Sequence, residues 1–219
     1  TMKEIEYTRN EQDYQQMFPR QLTTVHRFKL DLQENEAIKI LTAAYKAQVE
    51  NRHCQFLEDD DIIRAIEFTA SWLTLENKKP GLYFTGFCGT GKTTMIKAIK
   101  MVVDWYYSNT RFKPTMTIIK ATDLASMALN NYNEYKSLAK RTLLAIDDLG
   151  QEPAVISNYA HVMKPCIEIL SERYDAQLTT FISSNLAPEN IKEYYDERLS
   201  DRFREMMEII PFESKTFRK

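Results

Sequence analysis

The sequence predicts an α/β fold, a parallel sheet of about five strands with crossover helices, preceded by a helical segment. Three observations carry this. From Pro80 onward, short apolar runs alternate with longer helical patterns, as a sheet built from βαβ units requires. The stretch Gly86-Phe-Cys-Gly-Thr-Gly-Lys-Thr93 has the G-x-x-x-x-G-K-[ST] spacing and falls between one such run and one such pattern. The run Leu143–Ile146 ends in Asp147-Asp148, so a buried strand delivers two carboxylates to the carboxyl edge of the sheet.

Residues 1–32 are expected to be a loosely ordered arm, because the first 20 are rich in Glu, Gln, Asn and Arg with weak periodicity. Residues 33–79 form the helical segment. Ile38, Leu41, Tyr45 and Val49 recur at helical spacing, and Ile62, Ile66, Ala70 and Leu73 do so in a second helix. Asp59, Asp60 and Asp61 stand at its start, where carboxylates favour the helix dipole. Lys78-Lys79-Pro80-Gly81 then breaks the helix and opens the core, residues 80–219. Within it strands are expected at Leu82–Thr85, Met116–Lys120, Leu143–Ile146, Thr179–Ser183 and Ile209–Phe212. Helices are expected near Lys92–Tyr107, Thr122–Leu129, His161–Tyr174 and Asp196–Glu208.

The composition narrows the function classes. A chain of 219 residues holds one α/β core with an extension. With 43% hydrophobic and 27% charged residues it is ordinary globular protein, and no apolar run approaches the ~18 residues of a membrane span. Thr1 to Arg20 are polar and charged, unlike a secretory leader; the expectation is a cytoplasmic chain with no membrane partner. Cys54, Cys88 and Cys166 lie far apart in no CxxC arrangement, and His26, His53 and His161 lack metal-ligand spacing, so neither a disulfide framework nor a zinc site is indicated. A net charge of −2 argues against a large surface for nonspecific polyanion binding.

The chemistry concentrates in four segments. Gly86, Gly89 and Gly91 let the loop curl so that backbone N–H groups face phosphate oxygens, with Cys88, Thr90 and Thr94 completing it. Lys92 is placed to reach the β- and γ-phosphates, and the Thr93 hydroxyl to ligate Mg²⁺. Asp147 can hold the Mg²⁺ shell, and Asp148 can orient the attacking water. After Thr179–Ser183, Asn185 stands either as a water-orienting or phosphate-sensing amide or as the cap of a Ser-Asn-Leu turn. On the helix after it Arg198 and Arg202 share one face; an arginine there can serve a neighbouring subunit, or pair with acids of its own helix such as Asp201.

Gly81-Leu-Tyr-Phe-Thr-Gly86, Leu143-Leu-Ala-Ile-Asp-Asp-Leu-Gly150, Glu168-Ile-Leu-Ser-Glu-Arg-Tyr174, Ser184-Asn-Leu186 and Glu197-Arg-Leu-Ser-Asp-Arg202 occur in the order and spacing of a known group. Over roughly Ile62 to Arg218 the chain resembles the AAA+ ATPases of the DnaC/DnaI helicase-loader and IstB transposition-helper group. The resemblance implies a P-loop NTPase core with sheet order 5-1-4-3-2, binding ATP and Mg²⁺ and hydrolysing ATP. It implies Arg202, with Arg198 second, as the arginine finger, and Arg218 in the ending Ser214-Lys-Thr-Phe-Arg218 as a phosphate contact. It further implies a replicative helicase or transposase as partner, binding of single-stranded DNA, and an ATP-dependent homo-oligomer. A DnaC-like loader is the first reading; an IstB-like helper, or a nucleotide-gated adaptor with very slow turnover, is the alternative.

Overall fold

The computed structural model describes residues 27–111, 114–158 and 161–213; most of the amino-terminal arm and Arg218 lie outside these. Helix α1 (Glu34–Glu50) and helix α2 (Asp60–Thr74) precede the sheet. The Asp59 carboxylate caps α2, accepting from the backbone N–H of Asp61 at 3.0 Å and of Ile62 at 3.4 Å, and so satisfies donors that the first turn leaves orphaned.

Five parallel strands follow, β1 (Gly81–Gly86), β2 (Met116–Lys120), β3 (Leu143–Leu149), β6 (Thr179–Ser184) and β7 (Met207–Phe212). Between β3 and β6 lies an antiparallel hairpin of β4 (Ile156–Asn158) and β5 (His161–Met163). The sheet order is β2-β3-β6-β1-β7. With the hairpin set aside, this reads 5-1-4-3-2, the order expected.

The crossovers are α3 (Lys92–Tyr106), α4 (Ala121–Asn130), α5 (Tyr132–Leu138) and α6 (Pro165–Asp175), and the short α7 (Ile191–Tyr194) and α8 (Glu197–Met206) lead into β7. Successive strand residues point to opposite faces, and both faces are dry. Leu82, Phe84, Ala145 and Phe181 pack with Leu41, Trp72 and Ile96 from α1, α2 and α3. Tyr83, Leu144, Ile146 and Ile182 pack with Leu124, Leu170 and Leu199 from α4, α6 and α8. A sheet covered on both faces gives continuous apolar runs in place of alternation, the pattern of β1 and β3, whereas the edge strand β7 alternates and leaves Ile209 exposed.

The expected helix His161–Tyr174 is corrected. His161–Met163 is a hairpin strand, and the helix begins only at Pro165. Proline fixes its φ and lacks the N–H, so it fits the first helical turn, and it drives the residue before it out of the α region; Lys164 has φ −122° and ψ 75°. Helix α5 was not expected at all. Its signal is the Asn131-x-x-Glu134 spacing: the Asn131 side chain accepts from the Glu134 N–H at 3.3 Å, in the manner of a capping box. Among the described residues no helix is long and apolar enough to cross a membrane.

Candidate functional site

At the carboxyl edge of the sheet the chain leaves β1, turns through the glycine-rich loop and enters α3. Gly91, at the amino-terminal cap of α3, has φ +107° and Gly86 has φ +142°. A Cβ on Gly86 would stand 2.1 Å from the Phe212 carbonyl oxygen, and one on Gly91 the same distance from the Tyr45 hydroxyl. Both positions therefore demand glycine twice over, by backbone conformation and by space. The amide donors of the first turn of α3 face the loop, the arrangement that receives anions.

Lys92 is 5% exposed. Its ammonium donates to the carbonyls of Gly86 and Phe87, each at 2.7 Å, and to Asn185 Oδ1 at 2.9 Å. One cation thus joins the glycine loop to the amide after β6. The neighbouring Thr93 hydroxyl donates to Asp147 Oδ1 at 2.9 Å. The hydroxyl of Ser183, fully buried on β6, donates to the same Asp147 oxygen and accepts the backbone N–H of Asp148 at 2.9 Å.

Asp148 sits where the register of β3 against β6 shifts, and its φ is +58°. Aspartate tolerates this left-handed conformation better than most residues. The bulge turns consecutive acids in different directions: Asp147 is buried behind Thr93, and Asp148 lines the cleft.

That cleft, of about 730 Å³, is bounded on one side by Cys88, Gly89, Gly91, Lys92, Thr93 and Thr94, with Asp148 and Asn185 at its end. Tyr45 of α1, which lies against Gly91, and the α1–α2 connection from Arg52 to Leu57 also line the cleft. Burial raises the pKa of the Tyr45 hydroxyl, with the Asp59 charge adding to it, so the phenol stays protonated. The donor set nearest the loop is a hydroxyl and a carboxylate, hard oxygen ligands suited to Mg²⁺ and too few for an all-protein site. Accordingly, no group of three or more His, Cys, Asp or Glu able to hold a metal occurs among the described residues.

The structure therefore brings together Gly86, Cys88, Gly89, Gly91, Lys92, Thr93, Thr94, Asp147, Asp148 and Asn185. Thr90 is fully buried and braces the loop, its hydroxyl donating to the Phe87 carbonyl at 2.9 Å. Arg202 lies elsewhere: on α8, its guanidinium sits over the Tyr174 ring at 5.0 Å and donates to Asp175 at 3.2 Å. Arg198 is exposed, and Asp201 pairs with Arg204 at 3.6 Å. Two members went unread in the sequence. Ser183 could have been found, as a hydroxyl following Phe181-Ile182 near the carboxyl end of β6; Tyr45 carries the spacing of a core residue and nothing that marks it as part of a cleft.

Glycine loop, strand-end acids and sheet order define a P-loop NTPase core of the AAA+ type. No protein-family profile matches the chain. It is 32% identical over 122 residues to the replicative helicase loader DnaI of Bacillus subtilis (strain 168), across 54% of this chain and 37% of that protein; the chain thus matches little more than a third of that relative's length. In structure it is similar to the crystal structure of DnaI, with a TM-score of 0.57 at 22% identity over 78% of this chain and 93% of that one. The crystal structure of the DnaC helicase loader gives 0.56 at 19% identity, over 72% and 93%. Over that segment in sequence, and in fold, the chain is similar to the helicase loaders DnaI and DnaC.

Proposed function

We propose that the chain binds ATP with Mg²⁺ in the cleft beside Lys92 and hydrolyses it, as a loader-type ATPase that acts on a replicative helicase during DNA replication. One observation carries the nucleotide reading. The Lys92 ammonium is held by two loop carbonyls and Asn185 beside the Thr93–Asp147 pair, in a cleft open to a ligand. Phosphate oxygens carry more charge than carbonyls and make stronger bonds to an ammonium, so a triphosphate can take over those contacts. The base and ribose then fall toward Tyr45 and the Arg52–Leu57 wall.

Thr93 and Asp147 would hold the Mg²⁺, which when bound neutralises charge on the β- and γ-phosphates. Asp148 orients the attacking water and accepts its proton, Asn185 aligns that water against the γ-phosphorus, and Lys92 stabilises charge on the phosphoryl oxygens. The helicase as partner, and single-stranded DNA as a second ligand, are supported by the likeness to the loaders. Association of ATP-bound copies, with Arg202 or Arg198 approaching a neighbour's γ-phosphate, belongs to the same reading.

Two variants test it. Lys92→Ala is expected to weaken nucleotide affinity by about 100-fold or more, measured with a fluorescent ATP analogue. Asp148→Asn is expected to leave affinity within about twofold while slowing single-turnover hydrolysis by about 10²-fold. Near-native affinity in Lys92→Ala, or parallel loss of affinity and turnover in Asp148→Asn, overturns the respective assignment.

A further inference from the structure

Beyond the acids the chain makes a tight turn, with Asp148 at φ +58°, Gly150 at φ +91° and the Gln151 N–H donating to the Asp148 carbonyl at 3.1 Å. Its next residue, Glu152, is only 1% exposed, an unusual place for a carboxylate. One carboxylate oxygen accepts the Gly150 N–H at 2.9 Å. The other accepts the hydroxyl of Tyr195, and the Glu152 carbonyl accepts the hydroxyl of Tyr194. Both side-chain donors are neutral, although a buried carboxylate is costly to desolvate and a cation would offset more of that cost.

The two tyrosines end α7. The residue after them, Asp196, caps α8, accepting the Leu199 N–H at 2.8 Å, and α8 carries Arg198 and Arg202. A continuous chain of contacts therefore runs from Asp148 through Gly150, Glu152 and Tyr195 to the start of the arginine helix. It leaves the sheet at the carboxyl end of β3 and runs from there through the turn.

We propose that Glu152, with Tyr195, is a positioning pair that couples the turn carrying Asp148 to helix α8, so that occupancy of the γ-phosphate site is felt at Arg198 and Arg202. The inference rests on the nucleotide reading above. Neither residue touches the phosphates; each acts by fixing the turn on one side and the helix cap on the other. The Cys166 thiol, packed against the Glu152 carboxylate, has its pKa pushed well up by burial and by that charge, and stays an inert part of the clamp.

Hydrogen exchange of the full chain, with and without ATP and Mg²⁺, separates the possibilities when run on wild type, Glu152→Gln and Tyr195→Phe. In wild type, nucleotide is expected to slow exchange both in the loop, residues 86–94, and in residues 194–206. The variants are expected to keep the first response and lose at least about two thirds of the second. Their turnover is expected to fall about tenfold with KM within about twofold, a split that general loosening of the fold would not give. Tyr195→Phe keeps the ring and removes only the hydroxyl, so it decides the matter if Glu152→Gln does not fold. A response at 194–206 as large in the variants as in wild type overturns the coupling. A wild-type loop that does not respond to ATP removes the nucleotide reading itself, and the coupling with it.

Discussion

Two buried cations, one at each edge of the sheet, do opposite work. Lys92 at the carboxyl edge and Arg173 at the amino edge are both nearly or fully hidden from solvent, and both donate to backbone carbonyls. Arg173 donates to the carbonyls of Leu138 at 3.4 Å, Ala139 at 3.2 Å, Arg141 at 2.6 Å and Thr179 at 2.5 Å, and to the Thr180 hydroxyl at 2.9 Å. It thereby ties the end of α5 and the approach to β3 to the start of β6. Burial pulls its pKa down to about 9, which leaves it charged at neutral pH. Lys92 also donates to loop carbonyls, but beside it lies a cleft. What separates a structural cation from a ligand-binding one is thus room for a competing anion, and burial alone does not tell them apart.

The largest expected effect follows from that contrast. Arg173→Met removes the one donor shared by four carbonyls and a hydroxyl at a largely buried site, and is expected to lower unfolding stability by more than about 3 kcal/mol, read from urea denaturation. In the same assay Lys92→Ala is expected to change stability by less than about 1 kcal/mol, because its acceptors face a cleft that water can enter. If the two variants lose comparable stability, the distinction between the edges collapses.

A third buried cation sharpens the comparison. Lys78, 7% exposed, donates to the Trp72 carbonyl at 2.6 Å and lies over the Trp72 ring at 3.9 Å. Burial, reinforced by the charges of Arg27 and Lys29, lowers its pKa from 10.5 to about 7. Between those values the unfolded chain binds more protons than the folded one, so this group's contribution to stability rises with pH through that window. Below about pH 7 the full penalty of the buried charge is present. Lys78→Met is therefore expected to stabilise the fold at pH 6 by about 1–3 kcal/mol, with the gain fading as pH rises from 7 toward 10.5. A gain independent of pH would mean that packing, not charge, is what changes.

The glycine loop, the acids, Asn185 and the five sheet strands were legible because each is local: a motif, or an apolar run of fixed length with its closing residue. The hairpin at Ile156–Met163 was not, since two three-residue strands are too short for any periodicity to register. The place of Tyr45 at the cleft was not legible, for a different reason. Its helical spacing correctly predicts burial, but the loop it is buried against lies 46 residues further on, and no pattern in one chain announces that pairing. Arg173 stands in the sequence only as one residue of the Glu168–Tyr174 segment, and only the fold makes it the anchor of one edge.

The smallest expected effect on stability belongs to Arg202, and it bears on whether α8 serves a second copy of the chain. The guanidinium donates to Asp175, whose side chain is 64% exposed, while the arginine side chain is 13% exposed. A pair of this kind contributes about 0.2–1 kcal/mol, so Arg202→Ala and Asp175→Ala are each expected to cost under about 1 kcal/mol. Arg202 Nη1 is buried and has no hydrogen-bond partner, so the guanidinium keeps a donor that Asp175 does not use. Turnover separates the roles that stability cannot. If Arg202 reaches a neighbour's γ-phosphate, it must first leave Asp175, and removing that carboxylate makes leaving easier. ATPase activity per site, measured against protein concentration, is then expected to rise about two- to threefold in Asp175→Ala and to fall at least tenfold in Arg202→Ala, in line with the weight of an arginine supplied in trans. A structural pair predicts that both substitutions act in the same direction, or not at all, and that neither effect depends on concentration. Opposite signs at matched stability would assign Arg202 to the interface; matching signs would leave it as the strut between α6 and α8.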